Sequence, residues 1–366
     1  MTKATPLPTP RMIACAGLLA TAAGIGIGRF VYTPILPPMV EALHLSKSEA
    51  GLIASANFLG YLAGALLASL PLPGSRRAWL LAALAVNAAA LAAMGLAGTM
   101  PAFLALRLIA GIASAFVLVF GSALVLDHLA SAGRSGLSAV HFAGVGTGIA
   151  VSAVLVAMLG DWRAMWLASA ALAAAAGVAV VLMMPAGSHG WRRAVAEGKA
   201  PLSLILAYGL FGFGYIITAT FIVAQVRGAP AIAPLEPYIW ILFGLSAAPS
   251  VALWTRLAAR WGILTAFGIA ALIEATAIAA SALWTSSATV LLAAVFVGGT
   301  FMGLTALGLI AARGRIALMT ASFSAGQILG PAFAGYVFDA TGSLSLPLLG
   351  AAAALVAAGA LTLSRR

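Results

Sequence analysis

The chain has 366 residues, 63% of them hydrophobic and only 7% charged, and so few polar groups cannot cover a water-soluble core. The formal charge of +11 would point a soluble protein toward nucleic acid, but the Lys and Arg residues fall at the ends of apolar runs, which excludes that partner and leaves the lipid bilayer as solvent. The single cysteine, Cys15, excludes an intrachain disulfide, and no polar stretch is long enough for an attached nucleotide-hydrolysing or sensory domain.

A spanning helix takes about 20 mostly apolar residues, because each adds about 1.5 Å and the hydrocarbon core is about 30 Å thick. The first apolar run, Arg11 to Met39, starts after Lys3 in the manner of a signal peptide, but it continues through Gly26, Gly28 and Arg29 to Pro37, so an uncleaved span is expected. There follow Ser48 to Leu70, Ala78 to Leu96, Ala102 to Leu126, Gly136 to Leu159 and Trp162 to Met184. The polar stretch His189 to Ala200, with Arg192, Arg193, Glu197 and Lys199, interrupts the series. Beyond it lie Leu202 to Val226, Tyr238 to Trp254, Ile263 to Leu283, Ala288 to Ala311, Ile316 to Phe338 and Leu344 to Leu363. Backbone groups in hydrocarbon must pair within their own segment, and the alternating segments of a barrel are missing, so the twelve runs are predicted to be helices. The expected fold class is an all-α polytopic membrane protein of twelve transmembrane helices: a six-helix bundle over 1–184, a linker over 185–200 and a second bundle over 201–366.

Lysine and arginine collect in cytoplasmic loops. With the N-terminus cytoplasmic, that side holds fourteen of them, and the other keeps only Lys47, Arg163 and Arg227; both termini and the linker are therefore expected in the cytoplasm. The two halves also resemble each other, as in a duplicated chain. Gly26, Gly28, Arg29 and Phe30 match Gly212, Gly214, Tyr215 and Ile216 at an offset of 186, Gly111 matches Gly298 at 187, and Phe142 matches Phe323 at 181.

The stretch GIGRFVYTPILPPM at Gly26 to Met39 and the glycine-rich VHFAGVGTGI at Val140 to Ile149 resemble the YbfB/YjiJ family of the major facilitator superfamily, and the six-plus-six arrangement resembles that superfamily over nearly the whole chain. The resemblance implies two pseudo-symmetric bundles in a bacterial inner membrane, a monomer, and alternating-access transport of a small molecule in a cavity lined by the first, fourth, seventh and tenth helices. Arg107 and Gly111 are similar to an R-x-x-x-G pattern associated with coupling in proton-linked members. Gly326, Gly330, Pro331 and Gly335 in the eleventh span look like an element that antiporters carry in the fifth, where this chain has Gly144, Gly146 and Gly148 and no proline. The superfamily's G-x-L-x-D-R-x-G-R-R loop is reduced to Gly74, Arg76 and Arg77, with Ala68 where the aspartate belongs, and its second-half counterpart keeps Arg260 and Gly262. A gating salt bridge from that aspartate is thereby ruled out.

An ionisable group in mid-membrane costs about 2.5 to 3.5 kcal/mol on insertion scales, so each one needs a partner or a watery cavity. Arg29, beside Tyr32 and next to the Pro34, Pro37 and Pro38 break, is the first candidate for substrate binding, with a structural arginine on carbonyls freed by those prolines as the alternative. Arg107 carries the same two readings. A guanidinium is permanently charged and forks onto carboxylates, so two such groups with few acidic partners favour an anionic ligand. Glu274, the one acid deep in a span, and His141, next to the glycine-rich stretch, are candidates for proton coupling together with Arg107; a paired or packed structural role is the alternative for each. Asn57, on a face with Gly60, Tyr61 and Gly64, and Gln327, on a face with Thr320, Ser324 and Pro331, are either cavity residues or helix-packing contacts. Tyr215 is a cavity candidate as the repeat partner of Arg29, with Tyr208 and Phe211 as a possible aromatic wall.

No Walker-type G-x-x-x-x-G-K, H-E-x-x-H, G-x-S-x-G or paired Cys and His at metal spacing is present. No catalytic residue, metal or cofactor is expected, and ion gradients remain as the energy source. The expected function is secondary transport of a small organic anion coupled to protons. A proton-coupled drug or metabolite exporter, in which Glu274 matters more than Arg29, is the alternative, and a membrane-embedded enzyme or scaffold a remote one.

Overall fold

The computed structural model describes residues 9–184, 201–312 and 315–364; the linker expected over 185–200 lies outside them. Among the described residues every element is helical. The first span is made of α1 (Pro10–Thr21), a π-helical turn (Ala22–Ile27) and α2 (Tyr32–Leu43). It is followed by α3 (Lys47–Ala68), α4 (Arg76–Leu96), α5 (Met100–Ser131), α6 (Ser138–Ala157) and α7 (Trp162–Met183). The second half comprises α8 (Leu202–Arg227), α9 (Glu236–Ala247), α10 (Ser250–Trp261), α11 (Ile263–Leu283), α12 (Ser287–Ala311), α13 (Ile316–Thr341) and α14 (Ser345–Leu363).

Counting the first span as one, ten described helices are long and apolar enough to cross a membrane, and α9 with α10, bent by 44°, makes an eleventh. α13 is the twelfth: its 26 residues exceed what a bilayer needs, and the polar stripe of Thr320, Ser324 and Gln327 lowers its hydropathy. Two spans are broken: the eighth where its sequence reads as continuous, and the first ahead of the expected break at Pro34, Pro37 and Pro38, since α2 runs on through those prolines. In the first, Gly28 and Phe30 donate to the carbonyls five residues back, at Ala23 and Ile25, the wider bonding of a π-turn. In the eighth, Pro249 has no N–H to continue the ladder, and the chain resumes as α10, which runs to Trp261 instead of ending at Trp254.

Glycines set how closely the helices approach. A side chain on Gly111 of α5 would overlap the carbonyl of Asn57 on α3, and one on Gly298 of α12 would overlap that of Phe243 on α9. These two contacts are repeat-related, so the second bundle reproduces the packing of the first. Gly111→Ala is expected to cut the folded yield from membranes several-fold, because backbone faces backbone there and nothing can give way. Size-exclusion profiles of the detergent-extracted protein would read this.

The face at which the first span begins is called the near face, and the opposite one the far face. The described hydrogen bonds joining the two halves all lie from mid-membrane to the far face. Ser55 Oγ of α3 donates to the Ile328 carbonyl of α13 at 2.7 Å, and Thr33 Oγ1 of α2 donates to the Ala219 carbonyl of α8 at 2.7 Å. At the far end Asp339 of α13 accepts the backbone N–H groups of Lys47 and Ser48 at 3.0 and 2.8 Å, at the open N-terminus of α3. Arg227 of α8 bridges Glu41 of α2 at 2.6 Å and Glu236 of α9 at 3.1 Å. The molecule is thus closed on its far side. On the near side the surviving loop arginines act within their own half: Arg76 pairs with Asp127 at 2.9 Å, and Arg77 donates to the Met184 and Val181 carbonyls at the end of α7.

Candidate functional site

The break in the first span leaves the Gly24, Gly28 and Arg29 carbonyls without helical partners in mid-membrane, and neighbouring helices supply donors for them and a second donor for Ala23. Asn87 of α4 donates to Ala23, Ser114 of α5 to Gly24, and Arg107 of α5 forks onto Gly28 and Arg29 at 3.2 and 3.1 Å. Gly28 is glycine because a Cβ there would strike the Asn87 amide. The Arg107 guanidinium also lies 5.0 Å from the Tyr32 ring. Tyr32 itself donates through its hydroxyl to the Ala50 carbonyl at 2.8 Å, joining α2 to α3. Arg107 and Tyr32 therefore hold the broken turn, and that turn presents Arg29.

The Arg29 side chain is received by aromatic rings instead of acids. Its Cζ lies 4.5 Å from the ring centroids of Phe58 and Tyr61 on α3 and 5.4 Å from that of Phe30, within reach of cation–π attraction. Nε and Nη2 are buried with no hydrogen-bond partner, an arrangement that leaves donors unspent. The phenols of Tyr61 and Tyr215 lie within electrostatic range of it. Tyr215, on α8, hydrogen-bonds the Gln327 amide of α13 and stacks on Phe301 of α12 and Phe323 of α13 at centroid distances of 5.5 and 5.8 Å. The Gln327 Oε1 is a third buried atom there without a described partner. Arg29, Tyr61, Tyr215 and Gln327 thus converge from four helices of both halves on one mid-membrane locus, walled by Phe58, Phe301 and Phe323.

The other candidates sit elsewhere. Asn57 donates to the Arg107 carbonyl at 2.9 Å in the close α3 to α5 contact, a packing position. His141 of α6 is fully buried, with Nε2 2.9 Å from Ser122 Oγ of α5 and its ring against Gly17 of α1; it lies wholly within the first bundle. Glu274 of α11 is fully buried too. One of its carboxyl oxygens accepts from Thr300 Oγ1 of α12 at 2.8 Å, and the other has no partner. Tyr208 donates to the Thr305 carbonyl and stacks on Phe323, on the near side of Tyr215. Sequence reasoning passed over Phe58 and Phe301, and read Phe323 only as the repeat match of Phe142. The first carries a readable signal, since it stands three residues from Tyr61 and shares its helix face. The phenylalanines of α12 and α13 carry none among so many apolar neighbours.

Twelve spans in two repeat-related bundles, meeting around a charged mid-membrane locus and shut at one end, define a transporter of the major facilitator type. The match covers residues 21–363 with the family described as uncharacterised MFS-type transporter YbfB, and the chain belongs to that family. Comparison with curated proteins gives no match. Among solved structures, a crystal structure of a mutant of the nucleoside transporter NupG is similar at a TM-score of 0.73 with 16% identity, covering 96% of this chain and 99% of that one. A bacterial homolog of the human lysosomal transporter Spinster, in an inward-facing and unoccupied conformation, is similar at 0.70 with 16% identity, covering 98% and 96%. At such identity these likenesses establish the fold alone.

Proposed function

We propose that this protein is a proton-coupled secondary transporter of a small organic anion, working by rocking of the two bundles around the Arg29 locus. The observation that carries the reading is the Arg29 guanidinium, buried in mid-membrane among Phe58, Tyr61 and Phe30, with no carboxylate partner among the described residues and two nitrogens unbonded there. A permanent cation in that setting is stabilised by an anion able to take its forked donors, and a carboxylate fits. The aromatic wall of Tyr215, Phe301 and Phe323 would pack the apolar body of the ligand, and Gln327 would supply the second polar contact. The excess of lysine and arginine in the near-face loops supports reading that face as the cytoplasmic one, in a bacterial inner membrane. The far-face closure supports reading this as the state that faces the cytoplasm, in a protein that works as a monomer.

Glu274 is the proposed proton carrier, because a buried acid with one spare oxygen and a hydroxyl partner can exist in either protonation state. Glu274→Gln keeps the Thr300 contact, and it is expected to retain substrate exchange while losing the response to an imposed pH gradient. Gradient-driven uptake at the wild-type level in that variant would remove Glu274 from the coupling. The same feature favours the exporter as the second reading. Counterflow by purified protein in liposomes decides between them, using labelled carboxylates, nucleosides and other neutral metabolites, and organic cations, with and without a pH gradient. Gradient-dependent uptake of an acid is expected; uptake restricted to cations or neutral solutes would overturn the anion reading.

A further inference from the structure

Away from the central locus, α9, α10, α11 and α12 enclose a cleft of about 420 Å³ open to the outside of the bundle. Leu253, Leu257 and Trp261 of α10 form one side, Ile273 of α11 and Phe296 of α12 the other, and Gly299 the floor. Most of the polar groups at the floor are engaged: Trp254 Nε1 donates to the Gly299 carbonyl at 2.8 Å, and the Thr300 hydroxyl is held by Glu274 and the Phe296 carbonyl, which leaves the Ser246 hydroxyl among apolar side chains. Water gains little from such a cleft, whereas an acyl chain fills it.

Its depth fits one leaflet. It runs from Trp261, half-exposed at the near-face end of α10, to Ser246 and Thr300, and Thr300 stands midway along α12. Fifteen helical residues at about 1.5 Å each span roughly 22 Å, less the loss at the α9 to α10 bend, while half a hydrocarbon core is about 15 Å. A tryptophan at the outer end is where the headgroup boundary falls.

The headgroup end is basic. Arg256 and Arg260 of α10 are exposed beside Trp261, and neither is in a described salt bridge. No Asp or Glu occurs anywhere in α10, in Gly262, or in the opening turns of α11. Phosphate is the group that arginines at this depth recognise.

We infer that this cleft is a binding site for an anionic phospholipid of the near-face leaflet, one acyl chain lying between α10 and α12 and the phosphate on Arg256 and Arg260. The inference does not depend on the transported substrate. Bromine on an acyl chain quenches a tryptophan it touches, so the test reads the Trp261 share of the fluorescence, taken as wild type minus Trp261→Phe, in purified full-length protein in vesicles. Brominated phosphatidylglycerol is expected to quench that share at least threefold more strongly than brominated phosphatidylcholine of the same chains. The preference should vanish in Arg256→Gln/Arg260→Gln, which alters only exposed side chains. Gly299→Leu, whose added Cβ meets Ser246 no closer than 3.9 Å, should lower quenching by both lipids by filling the cleft. Equal quenching by the two lipids in wild type, or a preference that survives the double arginine variant, would overturn the proposal.

Discussion

Replacing Arg29 by alanine is expected to lower transport at least a hundredfold with near-normal protein in the membrane, whereas Arg107→Ala is expected to remove the protein itself. The two arginines lie in successive layers of one construction. Arg107 supplies donors to the Gly28 and Arg29 carbonyls, and without it two backbone acceptors face hydrocarbon unpaired, a condition the bilayer penalises by several kcal/mol. Arg29 makes no described hydrogen bond through Nε or Nη2, so its loss costs the fold only the ring contacts with Phe58, Tyr61 and Phe30. A hundredfold loss of transport corresponds to about 2.8 kcal/mol, within the 2 to 5 kcal/mol that a buried charged contact to a ligand commands. Arg29→Lys keeps the charge and loses the fork, and an intermediate defect is expected. Uptake normalised to immunoblotted protein in membranes measures all three. Normal uptake in Arg29→Ala, or its disappearance from the membrane, would assign Arg29 to structure and sink the binding site.

The second large effect concerns the far-face closure. Asp339→Asn combined with Arg227→Ala is expected to move the molecule toward a state open on that face by roughly two- to a hundredfold. Asp339 contributes as a carboxylate on two free N–H groups at a helix start, about 0.5 to 2 kcal/mol. Of the two Arg227 pairs only the one with Glu41 joins the halves, and it is solvent-exposed enough to add only about 0 to 1 kcal/mol. Together these amount to about 0.5 to 3 kcal/mol of differential stability between the two states. Spin labels on the far-face loops at Gly98 and Thr285, in a Cys15→Ser background, should show a longer-distance population in the double variant that is scarce in wild type. Identical distance distributions would mean that apolar packing, such as Gly51 against Pro331, holds the far side shut without help from charge.

Much of this was readable before any coordinates. Length and hydropathy suffice for twelve spans because lipid leaves helices as the only open-chain solution. Arg29 stood out because a charge inside an apolar run demands an explanation. The break in the eighth span was not legible, and the one in the first was expected at Pro34, Pro37 and Pro38 but falls ahead of them, over residues 22–31; glycine and proline are common in membrane helices, so neither fixes a break by itself. The division of labour between Arg29 and Arg107 was also hidden. Both carried the same two readings, and the structural one proposed for Arg29, bonding to freed carbonyls, describes what Arg107 does. Its partners are main-chain oxygens of another helix, which have no side-chain identity to betray them. Asp339 and Arg227 drew no comment as site residues because charges at helix ends read as solvated; their partners lie in the other half of the chain.

The contacts between α2 and α8 have a further meaning. Thr33 meets Ala219 and Glu41 meets Arg227, and each pair is separated by 186 residues, the same spacing that relates Arg29 to Tyr215. Each pair therefore joins one repeat position to its own counterpart, which happens only beside the two-fold axis between the halves. An ancestor assembled from two identical six-helix chains would have set residue against identical residue along that line, glutamate on glutamate or arginine on arginine. Opposite charges can face each other there only once the two copies are free to differ. The Glu41 to Arg227 bond is thus a product of fusion and divergence, and tracing when it arose along the lineage would date the moment this protein stopped being symmetric.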